Sequence, residues 1–393
     1  MSERISRDLQ IEILVRLPVK SLLRFQCASK SCKSLISSDA FISMHTRHNE
    51  SANNYAHFVN GCLYRADNDE NMIDFGYKLH QFNDSFSAFQ EIEFPSQIAS
   101  ECIEQVFDCR GLLLLTHSDH PCDYKLQAGT FEPLILWNPA IRMSMTLPPS
   151  FVNGANPRYY SVFHGFGYDH IRNDYKVLRV MYNDESFPPM AKFFKLRTRA
   201  WETVNGFDFD DFHYVIPKGS HMFLPQAFVN GATHWLGYNS RYSVFREAVV
   251  LLFHMYDEKF RMMKFPNVLN NILQSDLISL VVSDGLLSLI EFNNWDRGDC
   301  CVWLMKEYGV PESWTKQYTI NLGDWEWLFQ KFISFRNKSE FLVVTSSQEL
   351  ALYNLKTRRY VFLGIRKTKL SLLIMKTCIE SLVLLGEINV VRE

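Results

Sequence analysis

The chain has 393 residues, 47% of them apolar and 14% aromatic, enough to bury a large core, and its formal charge is −2. That balance excludes nucleic acid as the main partner, because phosphate binding calls for concentrated basic charge. Nine cysteines, odd in number and scattered at 27, 32, 62, 102, 109, 122, 300, 301 and 378, exclude a disulfide framework and read as reduced thiols of the cytosol or nucleus. The opening Met1-Ser2-Glu3-Arg4 lacks the apolar core of a signal peptide, and no run of about eighteen apolar residues foretells a membrane span.

The stretch Ile5 to His45 is helical by pattern. On a helical wheel Asp8, Glu12 and Arg16 fall on one narrow stripe, while Leu9, Ile11, Ile13, Leu14, Val15 and Leu17 cover nearly everything else. A helix so apolar needs covering on two sides, and about forty residues cannot supply both covers. Pro18 ends the first helix and suits the first turn of a second, which carries Leu22, Leu23, Phe25 and Cys27. Ser29 is placed to cap a third helix with Cys32, Leu35 and Ile36, and Asp39 to cap one last turn with Phe41 and Met44.

These residues carry a resemblance. Asp8-Leu9, Glu12-Ile13-Leu14, Arg16 through Phe25, Ser29-Lys30-Ser31, Ser34-Leu35-Ile36 and Phe41-Ile42 are similar, in one register, to the plant F-box. The resemblance implies a three-helix unit over residues 1–50 that docks on a Skp-type adaptor, itself attached to a cullin ubiquitin ligase. With the two-sided helix, it puts the adaptor contacts on Leu9, Ile13, Leu14, Leu17, Pro18, Leu22, Leu23, Cys27, Lys30 and Leu35. Two positions depart from the family: Ser6 replaces the proline of an opening Leu-Pro, and Cys32 a tryptophan, whose loss from a packed site typically removes about 3–5 kcal/mol. The competing reading is a helical cap folded on its own chain.

From about Ser51 the pattern becomes β-rich: short runs of β-branched and aromatic residues between Asn, Asp, Gly and Pro. A strand-turn-strand phrase recurs six times, with turn centres at Asp84, Pro139, Thr198, Asp257, Val310 and Lys356, between 46 and 59 residues apart. Apolar strands lie between the phrases, at 111–115, 165–168, 231–235, 285–289 and 341–344. The expectation is an α+β chain: the small helical unit, then an all-β, six-bladed propeller-like domain over residues 51–393. Glu380 to Leu385 is expected to complete the first blade. A β-sandwich or open solenoid is the alternative.

The same phrases carry a second resemblance. Ile135 to Ala140, Gly165 to Asp169 with Asn173 to Val177, and Val302 to Val310 with Glu312 to Lys316 are similar to the plant F-box-associated domain, most of all in S-locus F-box proteins of pollen self-incompatibility. That family implies a propeller that holds a protein for ubiquitination; in S-locus members the target is a pistil ribonuclease, a secreted protein.

No chemistry-bearing motif competes. Gly165-Phe166-Gly167 lacks the third glycine of a phosphate loop. Asp67 to Asn71 begins like a calcium loop, but Met72 replaces its glycine and Lys78 its final glutamate. His117, His120 and Cys122 are three possible zinc ligands with no second cluster near them, so they read as part of a loop. No cofactor or metal is expected. Asp208, Asp210 and Asp211 among Phe209 and Phe212 form a candidate docking loop for a basic target, or simply a solvated rim. The function expected is therefore that of a non-catalytic substrate receptor in a ubiquitin ligase. The alternatives are a scaffold that delivers nothing and an enzyme with His164 or His234 beside a carboxylate in a central channel.

Overall fold

The computed structural model describes residues 6–52, 55–66, 73–82, 89–95, 103–117, 133–150, 161–182, 190–205, 214–215, 226–239, 248–266, 269, 278–293, 299–321, 329–337, 339–345, 347, 349–366, 373–385 and 391–392. Four helices open the chain: α1 (Arg7–Val15), α2 (Val19–Gln26), α3 (Lys30–Ile36) and α4 (Asp39–Ser51). The regular structure described after them is mainly β-strand, in six antiparallel sheets of four or five strands, with a short 3-10 turn at Pro311–Ser313.

The chain forms two compact units. The first holds the helices and two sheets. One sheet runs Leu373–Ile379, Tyr55–Ala66, Ile73–Phe82, Phe89–Ile92; the other runs Val391–Arg392, Met143–Thr146, Ile135–Asn138, Leu112–His117, Ile103–Cys109. Its interior gathers Val106, Leu113, Leu115, Ile135, Trp137 and Cys378, with Phe94 5.6 Å from the Trp137 ring.

The second unit holds four sheets. Three are Ser161–Asp169 to Ala200–Thr203, Ile278–Ser283 to Trp314–Asn321, and Phe329–Asn337 to Arg359–Arg366, each with strands paired in chain order. The fourth runs Tyr214–Val215, Ala232–Asn239, Ala248–His254, Lys259–Lys264, with Ala227–Val229 also on Ala232–Asn239. The central strands are apolar on both faces, as Ala248–His254 shows with only its last residue short of full burial.

The turns repeat as regularly as the sheets. Four-residue loops follow Asn138, Asp169, Lys195, His254 and Asn354, and in each the last residue is left-handed: Arg142, Asn173, Arg199, Glu258 and Arg358, at φ 53 to 58°. Side-chain oxygens of Asn138, Asp169 and Asn354 accept backbone N–H groups two or three residues on, which sets the first bend. Shorter hairpins turn on Arg110-Gly111, Asn230-Gly231 and Asp284-Gly285, with positive φ at both residues, the twist a two-residue hairpin needs.

Two expectations are corrected. There are four helices rather than three and a last turn: α4 has 13 residues, and its cap is Ser38, whose Oγ accepts from Phe41 N–H at 3.4 Å, not Asp39. Its length escapes a hydrophobicity pattern because three of its four buried residues, His45, Thr46 and Asn49, are polar. The strand that completes the first sheet is Leu373–Ile379, pairing Tyr55 with Ile379, and not Glu380 to Leu385. The latter segment forms a turn with Leu384 at φ 74°, a conformation nothing in its leucine-rich run announces.

Candidate functional site

Local chemistry builds the helical face. Ser6 Oγ accepts from Leu9 N–H at 3.3 Å, so the serine that replaces the family's proline caps α1. The helix ends at Val15, two residues before Leu17, and Pro18 sits at the N-cap of α2. Ser29 Oγ accepts from Cys32 N–H at 3.1 Å and starts α3.

One side of these helices packs on itself: Leu14, Val19, Leu22, Ile36 and Phe41 are buried. His45 is fully buried against Phe41 and lies 3.0 Å from the Leu17 carbonyl through Nε2. Burial holds its pKa down, so the ring is neutral and Nε2 carries the proton it donates to that carbonyl. The other side remains open. Leu9, Ile13 and Phe25 are 47, 45 and 44% exposed, which costs solvent contact that apolar side chains ordinarily avoid.

The ten residues expected on the adaptor side therefore divide. Leu9, Ile13, Pro18, Cys27 and Lys30 are exposed, and Leu17, Leu23 and Leu35 half-buried. Leu14 and Leu22 are turned into the chain's own interior. Phe25 belongs with the exposed group. It stands three residues, about one turn, after buried Leu22 on α2, so helical periodicity alone does not separate the two. Cys32 is half-buried on α3.

The helices are seated on the C-terminal end of the first unit. Val19 N–H donates to Glu380 Oε2 at 3.3 Å, and Asn49 Nδ2 to the Glu380 carbonyl at 2.9 Å. Arg110 grips Glu50 with two bonds of 2.6 and 2.7 Å. The turn that carries Glu380 is itself held by Asn138, whose Nδ2 donates to the Ser381 carbonyl at 3.0 Å and the Val383 carbonyl at 2.8 Å. Gly111, at φ 90°, leaves room beside this turn: a Cβ there would stand 2.3 Å from Ser381 Oγ. The motif Trp137-Asn138-Pro139 thus serves the mount of the helices.

In the second unit, the motif residues join neighbouring sheets. Lys176, fully buried, donates to Asp169 Oδ2 at 2.8 Å, Glu258 Oε1 at 2.7 Å and the Met255 carbonyl at 2.5 Å, which satisfies all three of its N–H groups. Burial alone pushes the Asp169 carboxyl up, but the bonds from Lys176 and Arg172 outweigh it and hold the group below the usual range. Gly165 and Gly167 admit Trp235 and Phe228: a Cβ at either would lie 2.7 or 2.4 Å from those rings. These glycines serve close packing.

Neither channel histidine has a carboxylate partner among the described residues. His234 Nε2 lies 2.8 Å from the Tyr308 hydroxyl and Nδ1 3.0 Å from the Ala227 carbonyl. Burial lowers its pKa to about 4. His164 is buried near Arg179, and burial and that charge hold it well below the ordinary value. Of the remaining candidates, Asp208, Phe209, Asp210, Asp211 and Phe212 lie outside the described residues, as do Asp67 to Met72, His120 and Cys122. No group of three metal-ligating side chains occurs among the described residues.

Comparison with known proteins agrees with this construction. The family model described as "F-box associated beta propeller domain" matches residues 62–371, and the model of the F-box domain matches residues 3–43. The chain belongs to the F-box proteins with an F-box-associated β-propeller. Among relatives, F-box protein CPR1 of Arabidopsis thaliana is 27% identical over 96% of this chain and 86% of its own length. The F-box/kelch-repeat protein At3g23880 of the same plant is 24% identical over 80% of this chain and 78% of its own. Among solved structures, the β-propeller domain of the Trilobed protease from Pyrococcus furiosus aligns with a TM-score of 0.42 at 10% identity, covering 79% of this chain and 95% of that one. The family's helices are the ones described here as half seated and half open. Among the described residues no helix is long and apolar enough to cross a membrane.

Proposed function

We propose that this F-box protein is the substrate-recognition subunit of an SCF-type ubiquitin ligase. Residues 1–50 take a Skp-type adaptor on the open helical side, and residues 51–393, the F-box-associated β-propeller part, hold a target protein. The observation that carries the reading is the exposed group Leu9, Ile13 and Phe25 on helices whose other side is already filled. Pro18, Leu23, Cys27, Lys30 and Leu35 border it, while Leu14 and Leu22 act from behind by keeping α1 and α2 in place.

The protein's part in ubiquitination is positional. A target lysine held near a charged conjugating enzyme reacts as though at high concentration, without a catalytic group from the receptor. The seat on Glu380, Asn49 and Arg110 suits this role, because a fixed mount preserves the gain that a loose tether dissipates. The finer reading, a ribonuclease target as in the S-locus relatives, rests on resemblance alone; the acidic-aromatic segment 208–212 that would serve it lies outside the described residues.

The test is co-purification with a Skp-type adaptor. Burying two such side chains stabilises a complex by about 1.5–3 kcal/mol each. The double variant Leu9→Asp, Ile13→Asp is therefore expected to weaken association at least a hundredfold while thermal unfolding of the free protein stays within a few degrees of wild type. Leu14→Asp is expected to disorder the helices themselves. Absence of adaptor association in the wild-type protein would sink the proposal.

A further inference from the structure

The outermost strand of the last sheet, Arg359–Arg366, differs from an ordinary solvent-facing edge. The corresponding strand Trp314–Asn321 exposes Thr315, Lys316, Gln317 and Thr319, all polar. On Arg359–Arg366 the exposed residues include Val361 at 58% and Phe362 at 49%. Successive strand residues point to opposite faces, so both faces of this edge are apolar and open at the same place. A helix or a flat protein surface would cover one face only. A strand added alongside would cover both and would also pair the outward backbone N–H and C=O groups of the edge, which meet no further strand among the described residues.

Charge selects what such a strand carries. Residues 350–366 contain Lys356, Arg358, Arg359 and Arg366 and no Asp or Glu, in a chain whose net charge is −2. Lys356, Arg358 and Arg359 form no ion pair among the described residues, whereas Arg261, on the outer strand two sheets earlier, is paired with Asp257. Like charge repels a second copy of this edge and attracts an acidic one. Geometry limits the contact: Arg359 to Phe362 pair regularly with Asn354 to Ala351, and beyond them the register shifts where Gly364 stands at φ 72°.

We infer that the edge Arg359–Phe362 is a docking site for a short, extended, acidic segment of a partner protein, bound by strand addition with apolar residues against Val361 and Phe362. The inference deepens the receptor reading and rests on it for taking that partner to be the target. The chain's acidic balance elsewhere and the paired aliphatic and aromatic side chains favour a peptide over nucleic acid.

The probe is a fluorescent peptide of alternating valine and glutamate, read by anisotropy on the full chain. It is expected to bind, and to lose at least tenfold in affinity with Val361→Glu, Phe362→Glu and, separately, with Arg358→Glu, Arg359→Glu. Exchanging glutamate for lysine in the peptide, or N-methylating its alternate amides, is expected to abolish binding. Equal binding of the N-methylated peptide, indifference to both double variants, or no binding at all would overturn the proposal. So would a single-stranded RNA that binds more tightly than the peptide and is lost with the same arginines. Adaptor co-purification is measured alongside: its failure in wild type removes the receptor reading and leaves the peptide result standing.

Discussion

At the scale of single residues, the buried histidine His234 makes a prediction that the resemblance to a family does not. Its Nδ1 faces a carbonyl, which only accepts, so Nδ1 carries the proton and the Tyr308 hydroxyl donates to Nε2. Burial opposes a second, charging proton, and the folded-state pKa of about 4 lies below the ordinary value near 6.5. The unfolded chain therefore binds the extra proton first, and the stability that neutral His234 contributes is present above about pH 6.5 and is lost as pH falls toward 4. Between pH 7.5 and 4.5 the loss amounts to roughly 2–3 kcal/mol. His234→Gln is expected to remove that part of the pH dependence in urea unfolding measured at the two pH values. An unchanged difference would mean that burial of His234 is not what the pH dependence reads. Nothing in Gly231-Ala232-Thr233-His234-Trp235 foretold this: the sequence marks a strand and a histidine, but the hydroxyl that completes the pair comes from 74 positions away.

At the scale of elements, the repeat was legible because its signals are local. Asn or Asp before a four-residue loop, a glycine after Asn, Asp or Arg in a tight one, and apolar runs between them are properties of a few neighbouring residues. The last half of α4 and the strand Leu373–Ile379 were illegible for opposite reasons. The helix buries Thr46 and Asn49 because the Ile42 carbonyl of its own preceding turn and the Glu380 carbonyl supply their bonds, so its inner face looks polar. The strand competes with an equally apolar neighbour, 380–385, and only pairing with Tyr55–Ala66 decides between them. The buried cluster around Lys176 also belongs to this scale, since it fastens a strand of one sheet to a turn of the next. Lys176→Met leaves Asp169 and Glu258 with a shared loss of charge and is expected to cost about 3 kcal/mol in urea unfolding, nearly independent of salt. Adding Asp169→Asn is expected to recover part of it; an additive further loss would show that the carboxylate, not the pair, is what the fold requires.

At the scale of the molecule, the candidate adaptor face was legible as an excess of apolar residues with no cover, but the way it is held was not. Val19 and Asn49 bond to Glu380 across 361 and 331 positions, and no local pattern records such a distance. The first sheet likewise takes its edge strand from the far end of the chain. A protein ending at residue 372 lacks that strand, the Glu380 partners and the turn gripped by Asn138. It is expected to expose the buried side of α4, to be cut by trypsin near Arg47 at least tenfold faster than the full chain, and to lose adaptor association. Equal protection of Arg47 in the two proteins would show that the helices stand without their seat.

That arrangement gives Glu380 a role in time as well as in space. During synthesis Val19 and Asn49 emerge 361 and 331 residues before Glu380, so the helices stay unmounted for all of that interval. A chain stopped before residue 380 would present the helices without the Glu380 partners of Val19 and Asn49. Under the receptor reading, the bond between Val19 and Glu380 would make adaptor recruitment depend on synthesis having passed residue 380.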